Sequence, residues 1–313
     1  MKALWHIDSC CSKLIEEKIN NKANHLTEPI LLKAKFSLVS NGTERLVSLG
    51  RVPLHLSEKM KVPYMEGDFS LPIKYGYSMV AENDKATYHT MHPHQEEIWV
   101  EKSSLFKLPE NIPLYRLPLI SNLETVANAI WDANITAKDA VAICGFGNIG
   151  ALLANTLRVH FDIEVDIIEI DNWKIDKAIS LGWNVNKKAR YDVIFHTTAQ
   201  QVALLDSINK LNVEGKLIEL SWYGDKKLSI PLGEAFHYNR LQIISSQVSK
   251  IPLSRAKEHN YKTRKELVCN WLQHDSYDDL ITDIIPFSES PIFYNNLRTG
   301  KQGEGLIWII EYK

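Results

Sequence analysis

Residues 141–171 constrain the fold more than any other stretch. An apolar run at 141–144 leads directly into Gly145-Phe146-Gly147-Asn148-Ile149-Gly150. Residues 151–159 are then apolar at helical spacing, and a second apolar run at 165–170 ends among acids. Strand, glycine turn, helix, strand and acid, in that order, turn a glycine pattern into a dinucleotide-binding expectation. Gly145 permits the tight turn, Gly147 lets the backbone approach a pyrophosphate, and Gly150 lets helix and strand lie close. Asn148, Ile149 and Gly150 open the helix, whose N-terminal N–H groups face the negative phosphates. The alternative is an ordinary tight turn of an α/β protein.

The acid at the second strand sharpens this expectation. Glu169 lies about 20 residues past the turn, where a carboxylate accepts both ribose hydroxyls. Such a carboxylate repels a 2′-phosphate, so NAD is expected, with NADP as the alternative. Asp171 is the rival for this role, and Lys174 is the counter-argument, because its ammonium could pair with a 2′-phosphate.

A formal net charge of −2 gives no global field for nucleic acid or an anionic membrane surface. No run is long and apolar enough to span a bilayer, and the N-terminal MKALWHIDSCC lacks the apolar core of a signal peptide. The cysteines, Cys10, Cys11, Cys144 and Cys269, show no CxxC spacing and no disulfide framework. A reducing cytoplasm is therefore expected.

With 313 residues, two domains or one large one are expected. Residues 1–118 read as β-rich, with strands at 30–39 and 75–81, a turn at 41–44, and a polar insert at 92–95 before another strand. Short strands separated by turn residues suggest a small barrel or sandwich. Residues 119–133 read as a helix leading into the glycine unit. After residue 171, helices at 174–181 and 200–211 alternate with strands at 191–196, 216–222 and 241–246. That alternation implies a parallel sheet covered by helices. From 255 the pattern changes to a charged helix at 255–272 and strands at 280–287 and 305–312. The expected division is residues 1–118 with 255–313, and 119–254 as the dinucleotide-binding domain.

This arrangement resembles the medium-chain dehydrogenase/reductase superfamily along essentially the whole chain. The segment EIDNWKIDKAISLG at 169–182 looks like the family's ribose-acid segment, and the LFKLP at 105–109 like the connector before the domain crossing. SNGTE, MEGDF, KYGY, HPHQ, NLETVANAIWDA, ELSWYGD and FHYNRLQIISSQVS are similar to a bacterial branch of threonine-dehydrogenase-like chains, distantly similar to bacteriochlorophyllide dehydrogenases. The resemblance implies an α/β fold: a GroES-like β-rich substrate domain plus a doubly wound Rossmann sheet. It also implies a small-molecule substrate and a homodimer.

The chain departs from the family at the metal. Asn41 stands where zinc-dependent members have a cysteine, and Tyr77 and Ser78 stand where they have histidine and glutamate. Glu124 alone matches a ligand or near-ligand position, and the four-cysteine structural lobe is missing. Zinc takes about four N, S or O ligands, so no metal is expected. A relocated site from His92, His94, Glu124 and His89 is the rival, since residues two apart share a face if they lie on a strand; solvated or hydrogen-bonded histidines in a loop are the alternative.

Without zinc, a developing negative oxygen needs hydrogen-bond donors and a general acid. His94 is the first candidate, as proton donor or relay, with a structural histidine as the alternative. Tyr77 is the second, as a phenolic donor or as filler for the missing metal. Asn41 and Glu124 complete the catalytic candidates, and Ser246, at the end of a strand, joins the cofactor candidates. The expected function is zinc-independent, NAD(P)-dependent hydride transfer to or from an alcohol or carbonyl. An enoyl or quinone reductase and a non-catalytic NAD(H) sensor or scaffold are the alternatives.

Overall fold

The computed structural model describes residues 1–19 and 23–313. The chain forms two compact units, Met1–Ser121 with Ile281–Lys313, and Asn122–Leu280.

In the first unit, β1 (Lys2–Asp8) and β2 (Cys11–Glu16) form an antiparallel hairpin. The long β3 (Pro29–Val39) buries Leu32 and Ala34 and exposes Leu31 and Lys33, the alternation of a strand with one covered face. Next comes α1 (Asn41–Ser48), at the position expected as a turn. Asn41-Gly42 carries turn chemistry, but Glu44 folds back and accepts the N–H of Ser40 at 2.9 Å, which holds the first helical turn. After α2 (Ser57–Met60) the chain enters β4 (Met79–Asn83). The expected strand at 75–81 is irregular before Met79. Gly76 there has φ +144, and an added Cβ would lie 3.1–3.2 Å from Pro93 and His94. Then follow β5 (Ala86–Thr90), β6 (Glu97–Glu101) and β7 (Phe106–Lys107).

The second unit runs through α3 (Ile120–Ala133), β8 (Val141–Cys144), α4 (Asn148–Phe161), β9 (Val165–Ile168), α5 (Asn172–Ser180) and β10 (Asn184–Val185). It continues through β11 (Tyr191–His196), α6 (Gln201–Asn209), β12 (Leu211–Glu219), α7 (Ala235–Tyr238), β13 (Gln242–Ser245) and α8 (Tyr261–Trp271). The strands pair in parallel in the order β10-β9-β8-β11-β12-β13. In chain order within the unit this is 3-2-1-4-5-6, the doubly wound dinucleotide-binding topology. The central β8 and β9 are buried throughout, as strands covered on both faces must be.

Two expectations are corrected here. The charged helix starts at Tyr261, not at 255, because Asn260 caps it: its side chain accepts from Lys262 and Thr263, and Thr263 Oγ1 accepts from Asn260 N. The second boundary lies at 280/281 rather than 254/255. The reason is a buried ion pair within the second unit. Arg264 of α8 meets Glu124 of α3 at 3.2 Å and donates to Asn128 and to the carbonyl of Val248.

The chain then returns to the first unit as β14 (Ile281–Pro286), α9 (Ser290–Thr299) and β15 (Ile307–Glu311). The large sheet of that unit has the order β14-β15-β3-β4-β5-β7, with β6 also on β3. Its core brings Leu4, Leu32, Met79, Ile98 and Val100 together with Phe293, Trp308 and Ile310 of the return. Each such side chain contributes about 1.5–3 kcal/mol when fully buried, so the last thirty residues belong to the first unit's core.

One buried histidine in that unit carries a pH prediction. His6 of β1 is 1% exposed. Its Nδ1 lies 2.8 Å from Ser12 Oγ and 3.2 Å from Arg298 Nη2, and its Nε2 has no partner. Burial, then the Arg298 guanidinium, hold its pKa well below 6.5. The folded chain therefore keeps His6 neutral while the unfolded chain protonates below that value. Stability present above pH 6.5 is lost as pH falls, by up to about 1.4 kcal/mol per pH unit. Urea melts of wild type and His6→Leu between pH 7.5 and 5 should show a shallower acid decline in the variant. Parallel declines would remove His6 as the cause.

Candidate active site

The glycine turn sits at the carboxyl end of β8, where strand order reverses and open α/β sheets bind ligands. Its three glycines differ in what demands them. Gly145 has φ +100, and a Cβ there would lie 2.7 Å from Thr197 Oγ1 and 2.8 Å from Thr198 Cγ2. A Cβ at Gly150 would lie 1.9 Å from the carbonyl oxygen of Gly145. The fold itself therefore requires both. Gly147 is the N-cap of α4 with φ −97, and a Cβ there would meet nothing within 4 Å. Nothing in the protein asks for glycine at 147; a ligand lying against the helix N-terminus would. Asn148 opens α4 and accepts from Asn122 Nδ2 at 2.9 Å, with Ile149 and Gly150 completing the first turn.

Glu169 follows β9 directly. One carboxylate oxygen accepts the N–H of Phe146 at 2.8 Å, and the other accepts from Ile170 at 2.8 Å and Asp171 at 3.1 Å. The carboxylate is thus held beside the glycine turn. Asp171 is occupied as the N-cap of α5, accepting from Lys174 N at 3.2 Å. Ser246 follows β13 and donates to Asp132 at 2.7 Å, where burial raises the Asp132 carboxyl pKa. Cys144 closes β8, and burial pushes its thiol up to about 11, so it is an inert core group.

In the first unit the candidates lie around the start of α1. His94 is wholly buried in a loop before β6. Its Nε2 lies 3.0 Å from Glu44 and 2.9 Å from the Tyr294 hydroxyl, and its Nδ1 lies 2.8 Å from Ser37 Oγ. Tyr294 donates to the same Glu44 oxygen, and Tyr312 lies 2.9 Å from Ser37 Oγ. A consistent set of donors follows: Tyr312 to Ser37, Ser37 to His94 Nδ1, His94 Nε2–H and Tyr294 to Glu44. Burial, then Glu44, hold the Tyr294 phenol well above its ordinary pKa, so it stays protonated. Tyr294 and Tyr312 were absent from the expected site, and no local signal marks either.

Tyr77 is half-buried and donates to Ser40 Oγ. Burial pushes its phenol up to about 12. Asn41 opens α1, and its Oδ1 is buried without a partner. Glu124 is paired with Arg264 at 3.2 Å and lies 3.8 Å from Lys265.

No protein-family model matches the chain. An uncharacterized zinc-type alcohol dehydrogenase-like protein of Haemophilus influenzae is 23% identical over 220 residues, 65% of this chain. The match spans 60% of that relative's length. A short chain alcohol dehydrogenase from E. coli CFT073, solved with NADH, superposes with TM-score 0.76 at 13% identity, covering 100% of this chain and 99% of that one. The 2R,3R-butanediol dehydrogenase of Bacillus subtilis gives 0.75 at 16%, covering 100% and 99%. The quinone oxidoreductase of Thermus thermophilus, also solved with NADPH, gives 0.73 at 14%, covering 99% and 100%. The chain has the medium-chain dehydrogenase/reductase fold.

Within this fold, the positions that resemble zinc-ligand positions hold Asn41, Tyr77 and Ser78, whose polar atoms are largely committed to protein partners. Tyr77 bonds Ser40, and Ser78 Oγ donates to the carbonyl of Pro118 at 2.6 Å and lies 3.0 Å from His89 Nε2. His92 Nδ1 lies 2.8 Å from the Pro93 carbonyl, and its ring stacks on Tyr64. His92 and His94 occupy a loop rather than a strand, so the shared face a relocated site needs does not arise. Among the described residues no three His, Cys, Asp or Glu side chains are grouped to hold a metal. This donor set, with its neutral hydroxyls and amide, does not fit zinc.

Proposed function

We propose that this chain is a zinc-independent, NAD(P)-dependent oxidoreductase that transfers hydride between nicotinamide and an alcohol or carbonyl. The observation that carries this is Gly147, a glycine the fold does not need, at the helix terminus where a dinucleotide phosphate would lie. Asn148, Ile149 and Gly150 supply the N–H groups of that terminus. Glu169 supports NAD over NADP, because a carboxylate there suits ribose hydroxyls and repels a 2′-phosphate. A bound nicotinamide would give or take the hydride, and the protein supplies orientation and hydrogen bonds.

Tyr77 is the proposed donor to the reacting oxygen. Its phenol stays protonated at neutral pH, and its hydrogen bond to Ser40 fixes its direction. Asn41 offers an unpartnered acceptor for a substrate hydroxyl. His94, with no exposed surface, is a positioning residue that holds Glu44 and through it the start of α1. Glu124 is proposed as an anchor of α8, given its pairing with Arg264.

The test is a panel of alcohols, aldehydes, ketones and quinones followed by NADH and NADPH absorbance, with zinc measured in the purified protein. Tyr77→Phe should lower kcat about 100-fold, as loss of a proton or oxyanion donor does. Stoichiometric zinc or preference for NADPH would overturn the corresponding part. Activity confined to quinones would favour a quinone reductase, and NADH binding without turnover a sensor.

A further inference from the structure

β11 ends on His196 and β12 ends on Glu219, and the two are partners in the parallel ladder. On its other side His196 pairs with Cys144, the residue before Gly145. Both side chains therefore sit at the carboxyl ends of the strands, beside the glycine turn.

His196 is fully buried. Its Nδ1 lies 3.0 and 2.9 Å from the two oxygens of Glu219, and its Nε2 lies 2.8 Å from Thr198 Oγ1. Glu219 also accepts the N–H of Ser221 at 2.8 Å and the phenol of Tyr223 at 3.0 Å. Burial works to raise the Glu219 pKa, but the interactions with His196 and Ser221 together outweigh it, and the net direction is down. An ionised Glu219 keeps the ring proton on Nδ1. In that tautomer Nε2 is an acceptor, and the Thr198 hydroxyl donates to it.

That fixes what Thr198 can offer. Its methyl lies against Gly145, where an added Cβ would come within 2.8 Å of it. One lone pair of its oxygen takes the N–H of Gln200 at 3.1 Å. A hydroxyl has two, so one remains for a donor from outside.

The order hydroxyl, imidazole, carboxylate is also that of an activated nucleophile. Such chemistry needs free donors to hold an oxyanion. Here the N–H of Ala199 is bonded to Ser221 Oγ at 3.1 Å and that of Gln200 to Thr198 itself. The arrangement orients a hydroxyl and has no place for an oxyanion.

A doubly wound sheet binds one mononucleotide on each half. Glu169, after β9, marks one half. Thr198, after β11, begins the other, the nicotinamide half if Glu169 holds the adenosine ribose. A phosphate has only acceptor oxygens and would be repelled by an outward-facing lone pair; a ribose hydroxyl would donate to it. We propose that Thr198, held by His196 and Glu219 as positioning residues, accepts a hydrogen bond from the nicotinamide-side ribose of a bound dinucleotide. This rests on the dinucleotide-binding reading above.

The test titrates the full chain with NADH, with its 3-acetylpyridine analogue, which lacks the carboxamide N–H, and with ADP, which lacks the second ribose. Thr198→Val should weaken both reduced dinucleotides roughly 3–10-fold, the loss of one hydrogen bond. ADP should bind unchanged, and Thr198→Ser should restore affinity. Nitrogen-15 shifts should show His196 Nε2 unprotonated at neutral pH in the wild type. Equal loss for ADP, no loss for NADH, an insensitive acetylpyridine analogue, or a protonated Nε2 would each overturn the proposal. A wild type that binds no NADH would overturn the dinucleotide reading, and this proposal with it; a wild type that binds NADH only as tightly as Thr198→Val overturns this proposal alone.

Discussion

Gly147→Ala should fold like the wild type and bind NADH about 10–100-fold more weakly. The first half of that expectation comes from the empty space around the position: an added Cβ meets no protein atom within 4 Å, and φ −97 suits any residue. A change at the N-cap then shifts stability by less than about 1 kcal/mol. The second half comes from what else could occupy that space. If a pyrophosphate lies there, a methyl group displaces it from the helix N-terminus. Losing one charge-assisted hydrogen bond, at roughly 1.5–3 kcal/mol, gives a loss of that order. Gly150→Ala is the opposite case. Its Cβ would fall 1.9 Å from the Gly145 carbonyl, so α4 must move off β8 and the second unit should lose stability before binding is in question. Chemical denaturation beside NADH fluorescence titration separates the two. Wild-type NADH affinity in Gly147→Ala would end the claim that a dinucleotide phosphate sits at this terminus.

The contrast among these glycines shows which features the sequence makes legible. The pattern at 145–150 is local: strand, turn and helix follow one another, and their chemistry is written in consecutive residues. The parallel strands at 141–144, 165–168 and 191–196 were legible for the same reason, as apolar runs bounded by turns. What failed depended on side-chain caps and on partners far along the chain, neither of which the residue pattern marks. The residues at 41–44 carry turn chemistry, and only the returning Glu44 carboxylate makes them helical. The charge pattern that extended the helix back to 255 says nothing of the Asn260 cap, and the unit boundary follows from an Arg264–Glu124 pair 140 positions apart. At the candidate site, Tyr77, Asn41 and Glu169 could be named because each stands at a recognisable position. His94 could be named but not its surroundings, because Tyr294 and Tyr312, which join it in a buried hydrogen-bonded network, lie 200 and 218 residues away.

Glu44→Ala should cost about 3–5 kcal/mol, because it removes an acceptor that several buried donors share. Glu44 is 1% exposed, and three donors converge on it: His94 Nε2, the Tyr294 hydroxyl and the N–H of Ser40. Removing it takes away the acceptor these three share in the interior, and each donor left stranded costs roughly 1–3 kcal/mol. Tyr294→Phe removes one donor and leaves the carboxylate held by the other two, so its cost should be smaller, about 1.5–3 kcal/mol for one bond to a charged group. The two residues share an oxygen, so their effects should not add, and a double-mutant cycle should give a coupling of at least about 0.5 kcal/mol. Urea unfolding read at the midpoint, with the slope checked for constancy, measures all three variants. The consequence for function lies in what the network holds. Tyr294 and Tyr312 come from the C-terminal return, Ser37 from β3, and Glu44 from the turn of α1 that carries Asn41 and adjoins Ser40, the partner of Tyr77. Loosening it should therefore lower kcat in proportion to the disorder of α1, while NADH affinity, which we propose Gly147 and Glu169 set in the other unit, stays within about twofold. An Ala variant at 44 with a stability loss under about 1 kcal/mol would show that water or a rearranged tyrosine replaces the carboxylate, and that the network does not position α1.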